Sequence, residues 1–197
     1  MPNPSRIFAG LVLALLTGIA ALPANSGKVD KQPRERIVMG WLESIVIEPW
    51  GVKLRAKLDT GAKTSAMHAE NMELFKRNGK EWVRFSLDDY DKKTNEAKVY
   101  TIERPTTREA RVKDKKGNPI PRPVVSMEFC LDGVMYDAEF TLVDRSKYHY
   151  RVLLGRRFLK DVALVDPDAT FTTKSSRCTD ARKSRKKKKN SSNHETR

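Results

Sequence analysis

Leu54-Arg55-Ala56-Lys57-Leu58-Asp59-Thr60-Gly61-Ala62 sets an alternating strand directly against a carboxylate and a turn. Successive strand side chains point to opposite faces, so Leu54, Ala56 and Leu58 share one face while Lys53, Arg55 and Lys57 take the other. The strand is expected to end at Asp59, because Thr60 hydrogen-bonds locally and Gly61 admits backbone conformations that other residues avoid. A carboxylate is thereby mounted at the end of a buried strand with its oxygens toward a cleft. Asp, Thr and Gly also close ordinary strands, so the meaning of this stretch depends on its surroundings.

A chain of 197 residues is one domain with appendages. Lys and Arg number 39 against 25 Asp and Glu, giving a formal net charge of +14. The segment from Lys174 to Arg197 holds ten basic residues and two acidic ones, so more than half of the excess lies in a tail. The body is only mildly basic. Two cysteines, Cys130 and Cys178, are too few for a disulfide scaffold or a four-thiolate zinc site. An oxidising compartment would let them pair, but nothing in the tail's composition supplies fixed geometry, and pairing stays open.

Residues 1–26 read as a secretory signal: Arg6, then an apolar run from Ile7 to Leu22, then Pro23 and small residues. The alternative is an uncleaved membrane anchor, since the run approaches a bilayer-spanning length. Either way the body is expected outside the cytoplasm, periplasmic or secreted. Residues 27–35 form a polar linker, 36–172 the folded domain and 173–197 a basic, disordered tail. The tail's lysines, Lys186 to Lys189, suit an anionic surface by counterion release. No aromatic residue interleaves with them, so specific nucleic-acid binding is not expected.

Within the domain an all-β pattern is expected, with one short C-terminal helix. Ile37 to Met39 and Trp41 to Ile47 read as strands, and Glu48-Pro49-Trp50-Gly51 turns the chain into the central strand. Thr64 to Phe75 is ambiguous, with a helical turn as one reading. Asn78-Gly79 and Asp132-Gly133 mark hairpin turns. Lys98 to Glu103 is a short strand, and Arg104 to Arg122 an exposed hairpin around Lys116-Gly117-Asn118. Val152-Leu153-Leu154 ends at Gly155; Phe158, Leu159 and Val162 are spaced for one helical turn against the core, and Ala163 to Val165 closes the body.

The order Asp59-Thr60-Gly61-Ala62, hairpin, Leu153-Leu154-Gly155, then Arg156 resembles the retropepsin-like aspartic peptidases. Gly40-Trp41-Leu42-Glu43, Ala56 to Ala69, Arg122 to Val125, Leu142 to Ser146 and Leu153 to Arg156 are similar to the bacterial branch catalogued as ATP-dependent zinc proteases. The resemblance covers residues 36 to 167. It implies a closed β-barrel of retropepsin type, and an endopeptidase hydrolysing peptide or isopeptide bonds of a peptide or protein substrate. It also implies that Asp59, Thr60 and Gly61 form the catalytic turn. Ala62, Gly117, Arg122, Leu154 and Gly155 are then expected to line the substrate cleft, with Lys113 to Pro121 as a flap.

Such a mechanism needs two carboxylates sharing one proton. One chain carries one such turn, so the resemblance implies a homodimer in which each copy supplies Asp59, and Thr60 braces the partner's turn. Asp144 or Asp166 are the intrachain alternatives. The rival function is a catalytically silent module holding an extended peptide by strand addition.

Neither zinc nor ATP is expected as a cofactor. Zinc hydrolysis needs clustered ligands, whereas His68, His149 and His194 are far apart in sequence and no H-E-x-x-H occurs. Gly61-Ala62-Lys63-Thr64 lacks the glycines of a phosphate loop. His68 is expected to hydrogen-bond the turn rather than to ligate a metal.

Overall fold

In a computed structural model of the chain, residues 35–91, 96–113 and 116–179 are described. The expected signal segment and residues 180–197 of the tail lie outside them.

The fold is all-β, as expected. β1 (Ile37–Ile47) turns at Trp50 and Gly51 into β2 (Val52–Asp59), with which it pairs antiparallel from Leu42↔Lys57 to Ile47↔Val52. Leu54, Ala56 and Leu58 are buried, while Lys53 and Arg55 are exposed, so the alternation read in the sequence is the alternation of the sheet. The stretch that was ambiguous in the sequence forms β3 (Ser65–His68) and β4 (Glu70–Arg77) rather than a helical turn. β3 is bonded on both sides and buries Met67 and His68. Those partners are distant in sequence, which is why local pattern misled.

Asn78 and Gly79, both at positive φ, carry β4 into β5 (Lys80–Asp91). Two consecutive positive φ values are what a tight hairpin requires. β6 (Glu96–Lys113) is longer than expected and serves two partners. Its first part, Glu96 to Pro105, pairs with β5, and its second, Thr106 to Lys113, pairs with β7 (Pro119–Leu131), with a bulge between Thr106 and Arg108. The β6–β7 turn at Gly117 is the hairpin read in the sequence. Asp132-Gly133 then leads into β8 (Val134–Val143).

β9 (Val152–Gly155) inserts between β2 and β3, parallel to the first and antiparallel to the second. A one-turn helix α1 (Arg156–Leu159) follows, then β10 (Ala163–Thr170), parallel to β1. Strand order is β10-β1-β2-β9-β3-β8-β7-β6-β5-β4, and β7 also pairs with β1 through Ile45↔Leu131, Val46↔Cys130 and Ile47↔Phe129.

Faces from every strand but β4 meet in one core around Met39, Ile45, Phe85, Met127, Phe129 and Phe140. Phe158 of α1 docks there, its ring 5.3 Å from that of Phe129 and 5.2 Å from that of Tyr136. Such aromatic pairs add to area burial by about 0.5–1.5 kcal/mol each.

Order does not stop at Thr172, which corrects the boundary at residue 173. The buried carboxylate of Glu43 accepts hydrogen bonds from the amide and hydroxyl of both Thr172 and Thr173, and from the Gly40 amide. Arg177 forms an ion pair with Asp132, and Cys178 is joined to Cys130 of β7. Residues 171–178 are therefore a strap across β1 and the β7–β8 turn. A polar strap is stable there because the body supplies a buried acceptor, a counter-charge and a covalent anchor.

Candidate active site

Asp59 sits on the last residue of β2, directly opposite Gly155 on the last residue of β9. Parallel pairing places the two following turns side by side, and the turns bond to each other. The Arg156 amide donates to the Ala62 carbonyl at 2.8 Å and the Arg157 amide to that of Lys63 at 3.1 Å. The Arg156 guanidinium caps the turn by donating to the carbonyls of Thr60 and Gly61 at 3.1 and 2.7 Å. A β-carbon on Gly155 would stand 2.5 Å from the Thr64 carbonyl oxygen, so only glycine allows this approach. The Gly155 amide is satisfied by Ser65 Oγ at 3.1 Å.

The Asp59 carboxylate is fixed by its own turn. Oδ1 accepts the Gly61 and Ala62 amides at 3.0 and 3.2 Å, and Lys57 Nζ lies 3.3 Å from Oδ2. Partial burial pushes the Asp59 pKa up, but the Gly61 amide, the Lys57 ammonium and the Ala62 amide together outweigh it. The net result is a pKa below the ordinary aspartate value, hence a carboxylate that stays ionised into acid. A carboxylate of that kind is a weak base, and a second carboxylate beside it is what would raise its proton affinity.

Further positive charge stands near. The half-buried Arg145 feels both Asp59 and Arg122; burial lowers its pKa, while Tyr148 and Asp59 raise it. Its Nε donates to the Tyr150 carbonyl at 3.0 Å, and its guanidinium lies 4.6 Å from the Tyr148 ring centroid.

The residues expected at the site separate into groups. Asp59, Thr60, Gly61, Ala62 and Gly155 are together at the paired strand ends, with Thr60 and Gly61 exposed. Leu154 is at the same level, but its side chain is wholly buried in the core. Arg122 lies on β7, and Gly117 is at the exposed hairpin tip, where a β-carbon would meet nothing within 4 Å. Asp144 accepts the Ser146 amide and Asp166 the Asp168 amide. Among the described residues neither is bonded to Asp59.

Lys57, Arg145 and Ser65 were missed as site residues. Lys57 was legible in principle, since it stands two residues before Asp59 and shares its face. Arg145 and Ser65 reach the site only through strand pairings that no local pattern reveals.

His68 does not bond the Asp59 turn, which corrects that expectation. It is fully buried, and its Nδ1 accepts the Arg145 amide at 2.9 Å. One ligand atom each from His68, Glu70 and Asp144 lies within 4.8 Å of the others. A cation does not fit among them, because a guanidinium nitrogen of Arg151 already stands 2.8 Å from Nε2 and the Arg145 amide occupies Nδ1. Nδ1 is taken by the Arg145 amide and Nε2 stands against the Arg151 cation, so this group of described residues does not suit zinc.

Comparison with known proteins agrees with this geometry. A family model described as "RimB-like: Retropepsin-like aspartic endopeptidase RimB" matches residues 38–176. Relatives from Desulfotalea psychrophila, 35% identical over 116 residues, and Shewanella pealeana, 34% identical over 119 residues, are each named "Probable alpha-L-glutamate ligase". The alignments cover 58% and 60% of this chain but 24% and 25% of those proteins, so the chain spans about a quarter of the curated relatives it matches. The crystal structure of Lpg0085 from Legionella pneumophila, a protein with unknown function (DUF785), superposes with a TM-score of 0.59 at 30% identity. It covers 71% of this chain and 100% of its own.

Proposed function

The chain belongs to the RimB-like family of retropepsin-like aspartic endopeptidases, and from that premise we propose that it is an exported peptidase whose catalytic pair is Asp59 from each of two copies. The observation that carries this reading is the Asp59 carboxylate itself, held ionised at the end of a buried strand by two backbone amides and Lys57. In the dimer one carboxylate takes a proton from water while the other, protonated, gives one to the scissile carbonyl. Exposed Thr60 braces the partner's turn, and the β6–β7 hairpin closes over substrate. The β1–β7 pairing supports a closed barrel as the frame.

The substrate is a peptide rich in glutamate. Lys57 and Arg156 contact the Asp59 turn and the charge of Arg145 acts on Asp59, a positive setting that suits acidic side chains. The relatives' ligase name points to the same residue type. Export is supported by the Cys130–Cys178 bond, a linkage that persists in oxidising compartments. The basic residues beyond 180 hold the enzyme to an anionic surface.

The test is hydrolysis of glutamate-rich peptides by wild-type and Asp59→Asn chains. Asparagine is nearly isosteric but cannot act as base, so activity should disappear with the fold retained. Mixing the two chains should inactivate heterodimers, and wild-type activity per chain should fall on dilution. Peptide affinity without turnover at any pH would favour the silent binding module instead, and full activity of Asp59→Asn would refute the assignment.

A further inference from the structure

His68 is buried among charges that the Asp59 chemistry does not use. Glu70 of β4 lies 3.2 Å and Asp88 of β5 3.3 Å from Nε2, and Arg151, ahead of β9, lies 2.8 Å from it. Arg151 also pairs with Asp88 at 2.6 Å. On the other side, Nδ1 accepts the Arg145 amide at 2.9 Å, with Asp144 Oδ1 3.8 Å away. The histidine's own amide donates to the Arg151 carbonyl at 2.7 Å. The ring thus sits between the two ends of the segment Asp144–Arg151.

A backbone amide can only donate, so Nδ1 must present its lone pair to Arg145. The single proton of the neutral ring is then on Nε2, so the Arg151 guanidinium 2.8 Å away does not donate to the ring and bonds Asp88 Oδ2 instead. The Nε2 proton meets Asp88 Oδ1, which is buried and has no other hydrogen bond. A second proton has only one place to go, Nδ1, where it would collide with the Arg145 N–H. The nearest acceptor for it is Asp144 Oδ1, and closing 3.8 Å to a hydrogen bond requires a movement of about 1 Å.

We propose that His68 is a proton-operated latch on the Asp144–Arg151 segment: the neutral ring holds it by the Arg145 amide, and the protonated ring releases that amide and takes Asp144. Arg145 is a cation whose charge acts on Asp59, so the latch positions a charge that the carboxylate feels. Its effect on substrate rests on the function proposed above, while the exchange of partners does not. Burial first, then the Arg151 charge, pulls the His68 pKa below the usual imidazole value, against the pull of Asp88, Glu70 and Asp144. The latch is therefore closed at neutral pH and opens in acid, the range in which an aspartic pair works.

The experiment is nuclear magnetic resonance of the full chain with selective labelling of His68 and Arg145. At neutral pH the ring should show the Nε2–H tautomer. As pH falls through the His68 titration, the protection of the Arg145 amide, corrected for intrinsic exchange, should drop about tenfold. In His68→Asn, whose side-chain oxygen replaces Nδ1 as a non-titrating acceptor, that protection should not change with pH. An Nδ1–H tautomer in the wild type, or constant Arg145 protection across its titration, would overturn the latch even if the variant does not fold. An equal pH response in His68→Asn would overturn it as well. None of these readings requires turnover, so failure of Asp59→Asn to abolish hydrolysis would remove the peptidase assignment and leave the latch standing.

Discussion

The Lys57 ammonium stands 3.3 Å from the Asp59 carboxylate on one face of β2, two residues apart. It is one of the groups that hold Asp59 ionised, so Lys57→Met should raise the Asp59 pKa toward its ordinary value. A depressed carboxylate pKa stabilises the fold above the unfolded pKa, and that stability is lost as pH falls through the folded pKa. The variant should narrow this window, and the acid limb of the pH–rate profile should shift to higher pH. Carboxylate titration by carbon-13 shifts would read it directly; an unmoved Asp59 would show that the amides alone suffice.

Gly155 offers a test of the paired strand ends. In Gly155→Ala the new methyl would press on the Thr64 carbonyl, and an overpacked site of this kind costs about 1–3 kcal/mol. Because the collision lies between the two turns, hydrolysis should fall by more than the loss of folded protein accounts for. Urea melts and rates measured on the same samples separate the two effects.

The strap makes a third prediction. Cys130 and Cys178 are 48 residues apart, and closing a loop of that length stabilises by about 4 kcal/mol in the chain-entropy account. Cys178→Ser should lower the urea midpoint accordingly, with reductant having no further effect. Truncation after Thr179 should be tolerated, whereas truncation before Thr172 should expose Glu43 and unfold the protein or nearly so.

Much of this was readable in advance. The β2 alternation, the Asn78-Gly79 and Asp132-Gly133 turns and the Gly155–Arg156 strand-to-helix passage are local signals, and each appears where expected. β4 was not readable, since Met72 and Leu74 lie exposed and blur the alternation that marks a half-buried strand. The strap was hidden because its composition is that of a solvated tail. Its stabilising partners, Glu43 and Cys130, lie 129 and 48 residues away. At the site, Asp59 announced itself, but Arg145 and His68 acquire their places only through β8, β3 and β9.

β6 belongs to two hairpins at once, with its bulge at the junction. A strand kinked there carries extra twist, and the kink is the natural fulcrum for the Lys113–Pro121 tip. The chain does not break at that point, so rotation of the tip about its long axis is geared to rotation of the β5 ribbon. A change of twist imposed on one hairpin is therefore passed to the other through a single continuous backbone.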